Sequence, residues 1–362
     1  METRRKFLKK MAAAGASALV VPQLLASCGK EEETYEGAAG AANLIVPKGD
    51  AMRITGTFLD EISHDIPHQN WGEREWDRDF RYMKAIGIDT VILIRAGYRK
   101  FIASPSPYLL GQGCYMPSVD LVDMYLRLAE KYGMKFYFGL YDSGKYWASG
   151  DYLHEVELNC RLIDEVWARY GHHAAFGGWY ISQECSRNTG KIIDLYARLG
   201  RHCKAVSGGL PTLISPYIDG SKNISQYTDR TTRTGGVTAE SHEAEWDAIF
   251  RGIQGAVDIV AFQDGHVEYD ELPEFLRINK RLADRYGLEC WTNTETFDRD
   301  MPIKFLPIKW EKLRLKLRMA EEAGIDQAIT FEFSHFMSPQ SAYLQAGHLY
   351  DRYLEYLNTS KK

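Results

Sequence analysis

Cysteine is scarce and never paired. Six cysteines occur in 362 residues, and no two stand in a CxxC arrangement. That spacing excludes a zinc knuckle, and the odd count beyond Cys28 argues against a dense disulfide framework. Buried free thiols are therefore expected at Cys114, Cys160, Cys185, Cys203 and Cys290, although an exported chain could hold one disulfide. Positive charge is not in excess either. The chain has 44 Lys and Arg against 49 Asp and Glu, a net −5, so nucleic acid is not an expected partner. No GxGxxG follows the first apolar run, "RITGTFL", which argues against a dinucleotide-binding open sheet. No HxH ends that run. His64 and His68 flank a proline in a loop, and His172 and His173 precede the fourth apolar run. Neither pair suits a catalytic metal, so no metal and no cofactor is expected.

The N-terminal residues read as processing signals rather than as fold. "TRRKFLKK" and "MAAAGASALVVPQLLA" give a basic segment and an apolar stretch too short and too rich in Ala and Gly for a membrane span. Arg4 and Arg5 before Phe7 and Leu8 resemble the twin-arginine export signal, and "LASC" resembles a lipobox with Cys28 as the lipidated residue. Residues 1–27 are thus expected to be a signal peptide and residues 28–50 a flexible tether. A barrel domain should fill residues 51–358. Removing the signal leaves 39 basic against 48 acidic residues, a net −9. The expected location is outside the cytoplasm: an outer-membrane lipoprotein on its periplasmic or cell-surface face, anchored to the membrane by its N-terminal lipid.

One phrase recurs: a charged amphipathic stretch, a glycine, then an apolar run. "YMKAIGIDTVILI", "LAEKYGMKFYFGL", "LADRYGLECWTN" and "AEEAGIDQAITFEF" each read as a helix ended by glycine and followed at once by a strand. Eight apolar runs emerge, at 53–59, 90–96, 135–141, 176–182, 211–217, 258–264, 289–295 and 327–333. Strict alternation of apolar strands with helices implies a parallel sheet. Eight units over this length fit a single-domain α/β fold, the (β/α)8 TIM barrel. The long connections follow strands 2, 5 and 7, on the face where such barrels build their sites.

Period-two alternation then picks out inward side chains. In strand 4, Gly178, Tyr180, Ser182 and Glu184 share a face, with Trp179, Ile181 and Gln183 on the other. In strand 7, Trp291, Asn293 and Glu295 share a face. Glu184 and Glu295 therefore end strands 4 and 7, across the barrel mouth from each other. Two carboxyl groups so placed suit glycosidic cleavage: one protonates the leaving oxygen, and the other attacks the anomeric carbon or activates water. Glu332 near the end of strand 8 is expected either to bind a sugar hydroxyl or to form a salt bridge within the barrel, and Asp264 at the end of strand 6 to contact substrate or orient a catalytic carboxylate. Trp291 and Asn293 are expected to contact sugar below Glu295. Tyr98, Tyr141, Trp147 and Tyr217 lie at or past strand ends, where flat rings could stack on sugars; Trp71 and Phe297 are similarly placed. Asp60, Glu61 and Asp142 read as loop anchors.

"GWYISQE" and "ITGTFLDE", behind the signal and lipobox, resemble a Bacteroidetes lipoprotein family catalogued as domain of unknown function 4434, across most of residues 50 to 356. That resemblance implies a glycoside-hydrolase-like barrel without assigning a substrate. More distantly, Glu184 and Glu295 look like the acid/base and nucleophile of the retaining barrel glycosidases, except that Gln183 stands where that clan has Asn. The expected activity is hydrolysis of an extracytoplasmic glycan, a carbohydrate partner, by two carboxylates and with retention. The alternative is a non-catalytic glycan-binding lipoprotein that uses the aromatic groove alone.

Overall fold

The computed structural model describes residues 51–63, 66–220, 237–299 and 305–359. The proposed signal peptide, Cys28 and the tether lie outside the described residues. So does His64, and so does most of the connection after strand 5.

Eight strands form a closed parallel barrel: β1 (Ile54–Leu59), β2 (Thr90–Leu93), β3 (Lys135–Gly139), β4 (Phe176–Ile181), β5 (Thr212–Ile214), β6 (Ile259–Gln263), β7 (Glu289–Asn293) and β8 (Ala328–Thr330). Neighbours in sequence are neighbours in the sheet, and β8 pairs with β1 to close it. The long helices between and after them are α1 (Glu73–Ala85), α2 (Leu121–Tyr132), α3 (Tyr152–Tyr170), α4 (Ile192–Ser207), α5 (Ala239–Ile253), α6 (Leu272–Tyr286), α7 (Trp310–Glu322) and α8 (Leu344–Thr359). The recurring glycines do what the sequence required of them. Gly87, Gly133, Gly287 and Gly324 all have positive φ, the left-handed turn that lets a helix stop and a strand begin within a few residues.

Alternation along the strands divides the core into two layers. Phe58, Ile92, Tyr137, Tyr180, Leu213, Trp291 and Ile329 point inward and fill the barrel. Val91, Phe138, Trp179, Ile181 and Phe262 point outward beneath the helices. Trp179 is fully buried, edge-on to Phe176 and Phe138 at 4.9 and 5.8 Å, and its indole N–H donates to Ser207 Oγ at 3.1 Å. The apolar face and the satisfied donor explain why a large amphipathic ring is stable there. Gly178 leaves the interior open for the Tyr137 ring, which a Cβ at that position would meet at 2.4 Å.

Several strands are shorter than their apolar runs. Ladder pairing ends at Leu93, Ile181, Asn293 and Thr330, two or three residues before Arg95, Glu184, Glu295 and Glu332. The charged residues thus stand where the backbone leaves the sheet. The connection after β2 folds back on itself: Gly97–Tyr98 pairs with Phe101–Ile102 and with Tyr141–Asp142, the extension of β3. The connection after β7 makes a small hairpin, Phe297–Asp298 against Leu306–Pro307. All five cysteines past Cys28 are free, with Cys185, Cys203 and Cys290 buried. No helix among the described residues is long and apolar enough to cross a membrane.

Candidate active site

A cavity of about 170 Å³ opens at the C-terminal mouth of the barrel. Its floor and walls come from strand ends: Phe58, Ile94 and Arg95, Glu184, Gln263, Asn293, Glu295 and Phe331. Ser63 and Ile66 from the connection after β1 complete one side. Phe297, Arg299 and Phe305 from the hairpin after β7 complete the other. Both carboxylates singled out in the sequence therefore reach one small chamber.

Glu184 sits deep in this mouth, with part of its surface open to the cavity. Tyr180, four residues back on the same inward row, donates its hydroxyl to Oε1 at 2.9 Å. Burial raises the carboxyl above its ordinary range. Arg95 and hydrogen bonds from Gln263 and Tyr180 oppose that rise without cancelling it. A carboxylic acid that holds its proton longer is suited to donating it.

Glu295 meets the opposite fate. It is buried, and burial alone would raise it. The Arg299 guanidinium, with its charge and its two hydrogen bonds, outweighs that effect, helped by Lys316 and His266, and holds the carboxyl below its ordinary range. The fork is bidentate: Arg299 Nε donates to Oε2 at 2.9 Å and Nη2 to Oε1 at 2.7 Å. Arg299 itself lies over the Phe297 ring at 4.8 Å, so the hairpin orients the cation that keeps Glu295 ionised. The backbone is braced from behind. Glu295 N–H donates to Asp264 Oδ1 at 3.1 Å, and the buried Lys316 of α7 donates to that same oxygen at 2.7 Å and to the Glu295 carbonyl at 3.3 Å. Gly265 packs against the carboxylate, where a Cβ would lie 1.8 Å from Oε2.

The other residues expected at the site divide. Asn293 lines the cavity. Its amide N–H donates to Ser215 Oγ at 3.0 Å, while its Oδ1 is buried without a hydrogen-bond partner. Phe297 lines it too. Asp264 does not contact the cavity and stands behind Glu295 as a brace. Glu332 is fully buried and is likewise withdrawn from substrate: it caps the short helix Phe333–Phe336, accepting from Ser334 N–H at 2.8 Å and His335 N–H at 2.7 Å. It also pairs with the His335 ring. Burial disfavours the imidazolium, but Glu332 wins and lifts His335 to about 9. Trp291 points inward, as alternation requires, yet one layer too low; its indole donates to Glu289 Oε2 at 3.2 Å, toward the other end of the barrel.

The four aromatics expected to stack on sugars do not line the cavity. Tyr98 lies under Arg95 and Arg99, at 5.4 and 4.9 Å from their guanidinium carbons. Tyr141 is buried and donates to the Arg99 carbonyl. Trp147 packs on the outer core, and Tyr217 lies beside the His266 ring at 5.2 Å. Aromatic contact with the cavity comes from Phe297, as expected, and from Phe58, Phe331 and Phe305, which sequence reasoning did not single out. Arg95 and Arg299 were missed as well. Arg95 had a signal, a lone charge ending the run "TVILI"; Arg299, in an irregular hairpin, had none. Among the described residues, no cluster of three His, Cys, Asp or Glu side chains could hold a metal ion.

A closed eight-stranded barrel with a carboxylate pair in its C-terminal mouth is an architecture that carbohydrate-active enzymes use. The chain belongs to the family described as domain of unknown function (DUF4434), which matches residues 54–343. A crystal structure of a Bacteroides thetaiotaomicron protein, given a provisional α-L-fucosidase assignment, is 66% identical, with a TM-score of 0.81 over 88% of this chain and 97% of that one. The barrel is also similar to an endo-1,4-β-D-mannanase from Thermotoga petrophila, at 10% identity and a TM-score of 0.50 over 78% and 88% of the two chains. A β-galacturonidase from Eisenbergiella tayi shares 11% identity and a TM-score of 0.51 over 85% of this chain and 53% of that one. These two likenesses are of fold alone. No curated protein matches the chain.

Proposed function

We propose that the protein is a glycoside hydrolase in which Glu184 is the general acid/base and Glu295 the nucleophile of a retaining reaction. The observation that carries this reading is two carboxyl groups lining one cavity in opposite settings: burial raises Glu184, whereas the Arg299 fork lowers Glu295. Glu184 donates its proton to the glycosidic oxygen as the bond to the anomeric carbon breaks. Glu295 attacks that carbon, and the sugar is held covalently on its carboxylate. Water, deprotonated by Glu184, then displaces it. The apolar walls of Phe58, Phe331 and Ile94 suit the C–H faces of a sugar and keep water from that side of the chamber. A cavity of about 170 Å³ has room for one sugar ring.

A purely binding role is less favoured. The Phe58, Phe297, Phe305 and Phe331 rings of the cavity would serve binding as well as catalysis, but binding alone has no use for two carboxyl groups tuned apart. The provisional assignment of the Bacteroides thetaiotaomicron relative makes 4-nitrophenyl α-L-fucoside the first of a panel of aryl glycosides to try. On a cleaved aryl glycoside, Glu184→Ala should retain release of the activated phenol and regain turnover with azide. Glu295→Ala should lose the first step by at least ~10²-fold. Equal loss in both variants with no azide response would contradict these roles. The same proposal places the enzyme outside the cytoplasm through an acylated Cys28. Cells fed labelled palmitate should label the wild-type chain and leave Cys28→Ala unlabelled.

A further inference from the structure

The two arginines of the cavity are not equivalent. Arg299 spends its fork on Glu295. Arg95 lines the same chamber from the end of β2 with only 15% of its side chain exposed, and its Nε is buried without a hydrogen-bond partner. Its ion pair with Asp142 Oδ2 spans 3.7 Å, too long for a hydrogen bond. The Tyr98 ring, 5.4 Å from the guanidinium carbon, fixes the orientation of the plane without satisfying any donor. A guanidinium presents a rigid fork of N–H groups whose geometry matches a carboxylate or a sulfate. Here that fork is oriented, withdrawn from bulk water and unfilled.

Charge leads the same way. Glu184, the carboxyl group that faces Arg95 within the cavity, is neutral when it carries the proton it must donate. Arg95 then keeps only Asp60 and Asp142 as counter-charges, neither of which lines the cavity, while Glu295 remains committed to Arg299. We propose that Arg95 receives an anionic substituent, a carboxylate or a sulfate ester, on the sugar that occupies this cavity, so that the substrates are acidic glycans. This rests on the glycosidase reading for the word substrate, but the binding site it describes stands on Arg95 itself.

Calorimetric titration of the intact protein tests it. Glucuronate, galacturonate, glucose 6-sulfate and galactose 6-sulfate are compared with glucose, galactose and fucose. At least one anionic sugar should bind roughly tenfold tighter than its neutral counterpart. The uronates and the sulfated sugars tell the two anions apart. Arg95→Gln should bring that ratio to within about twofold, and Arg95→Lys, which keeps the charge and loses the fork, should fall between. The ratio, rather than absolute affinity, is the readout, and the Lys variant carries the test where the Gln variant does not fold. Equal binding of neutral and anionic sugars, tighter binding of fucose than of every anionic sugar, or a preference that survives Arg95→Gln would each overturn the proposal. Anion-selective binding by a protein that cleaves no aryl glycoside would retire the glycosidase reading and leave this site standing. Cleavage of neutral aryl glycosides without anionic preference would retire this inference alone. A protein that neither binds nor cleaves any sugar retires both.

Discussion

Glu184 and Glu295 are the same side chain in two settings, and the difference is set by which cation is close and how it is held. Arg299 makes two charge-assisted hydrogen bonds to Glu295, whereas Arg95 acts on Glu184 only through space. Removing Arg299 should therefore raise the Glu295 carboxyl. For a nucleophile that must be ionised, the acid limb of the kcat/KM profile then moves to higher pH. Arg299→Gln is expected to show that displacement together with a lower kcat, and an unmoved acid limb would separate Arg299 from the control of Glu295. Gly265 offers a steric counterpart. With only 1.8 Å between a Cβ and Glu295 Oε2, Gly265→Ala must shift the carboxylate or break its fork. Activity should fall by about 10² or more, as an ångström's misplacement can cost, with assays run below the variant's melting temperature so that the loss is not unfolding. A fully active Gly265→Ala would mean that the carboxylate position is not critical.

At the scale of elements, the barrel places these residues by ending strands early and bracing the segments beyond them. α7 sends Lys316 inward to Asp264 and to the Glu295 carbonyl, so the helix after β7 fixes the strand end before it. α1 makes a similar tie on the other side. Buried Asp79 accepts from Ser338 Oγ and, at 3.2 Å, from Gln340 Nε2, joining α1 to the segment after β8. Burial lifts Asp79 from 3.8 to about 7, against the pull of those hydrogen bonds. A carboxyl group raised on folding binds its proton more tightly in the folded state. Its stabilising contribution is complete below the unfolded value and is lost as pH rises from about 4 to about 7. Up to roughly 4 kcal/mol is at stake over that window. The melting temperature should drop between pH 5 and pH 8, and Asp79→Asn should flatten the drop; an unchanged slope in the variant would dismiss the assignment. Elements were also the most legible part of the sequence. The four helix-ending glycines and the eight apolar runs come from local rules of φ and of alternation, and the barrel repeats them without exception. Strand ends were less legible, because β2, β5 and β8 leave the ladder while their sequences are still apolar.

For the whole molecule, legibility ran out where contacts stop being local. Alternation put Glu184 and Glu295 on the inward faces of β4 and β7, and the cavity brings both together. The same rule put Trp291 inward but could not tell the upper layer from the lower. For Glu332 the sequence left sugar binding and a salt bridge within the barrel equally open, and nothing in "TFEFSHF" shows that its carboxylate turns back onto Ser334 and His335. Of the predicted aromatics Phe297 reaches the cavity, whereas Tyr98, Tyr141, Trp147 and Tyr217 stay with loops that fold against Arg99, His266 and the outer core. Arg299 reaches Glu295 only because a hairpin returns it there. The pair of glutamates is thus the central claim, and one measurement tests it most directly: digestion of a glycan and aryl-glycoside library by wild type, Glu184→Gln and Glu295→Gln. The expected result is sugar release by wild type and, on the unactivated glycans, a loss of at least ~10²-fold in each variant. Undiminished cleavage by both variants, or sugar binding by wild type with no cleavage of any library member, would contradict it.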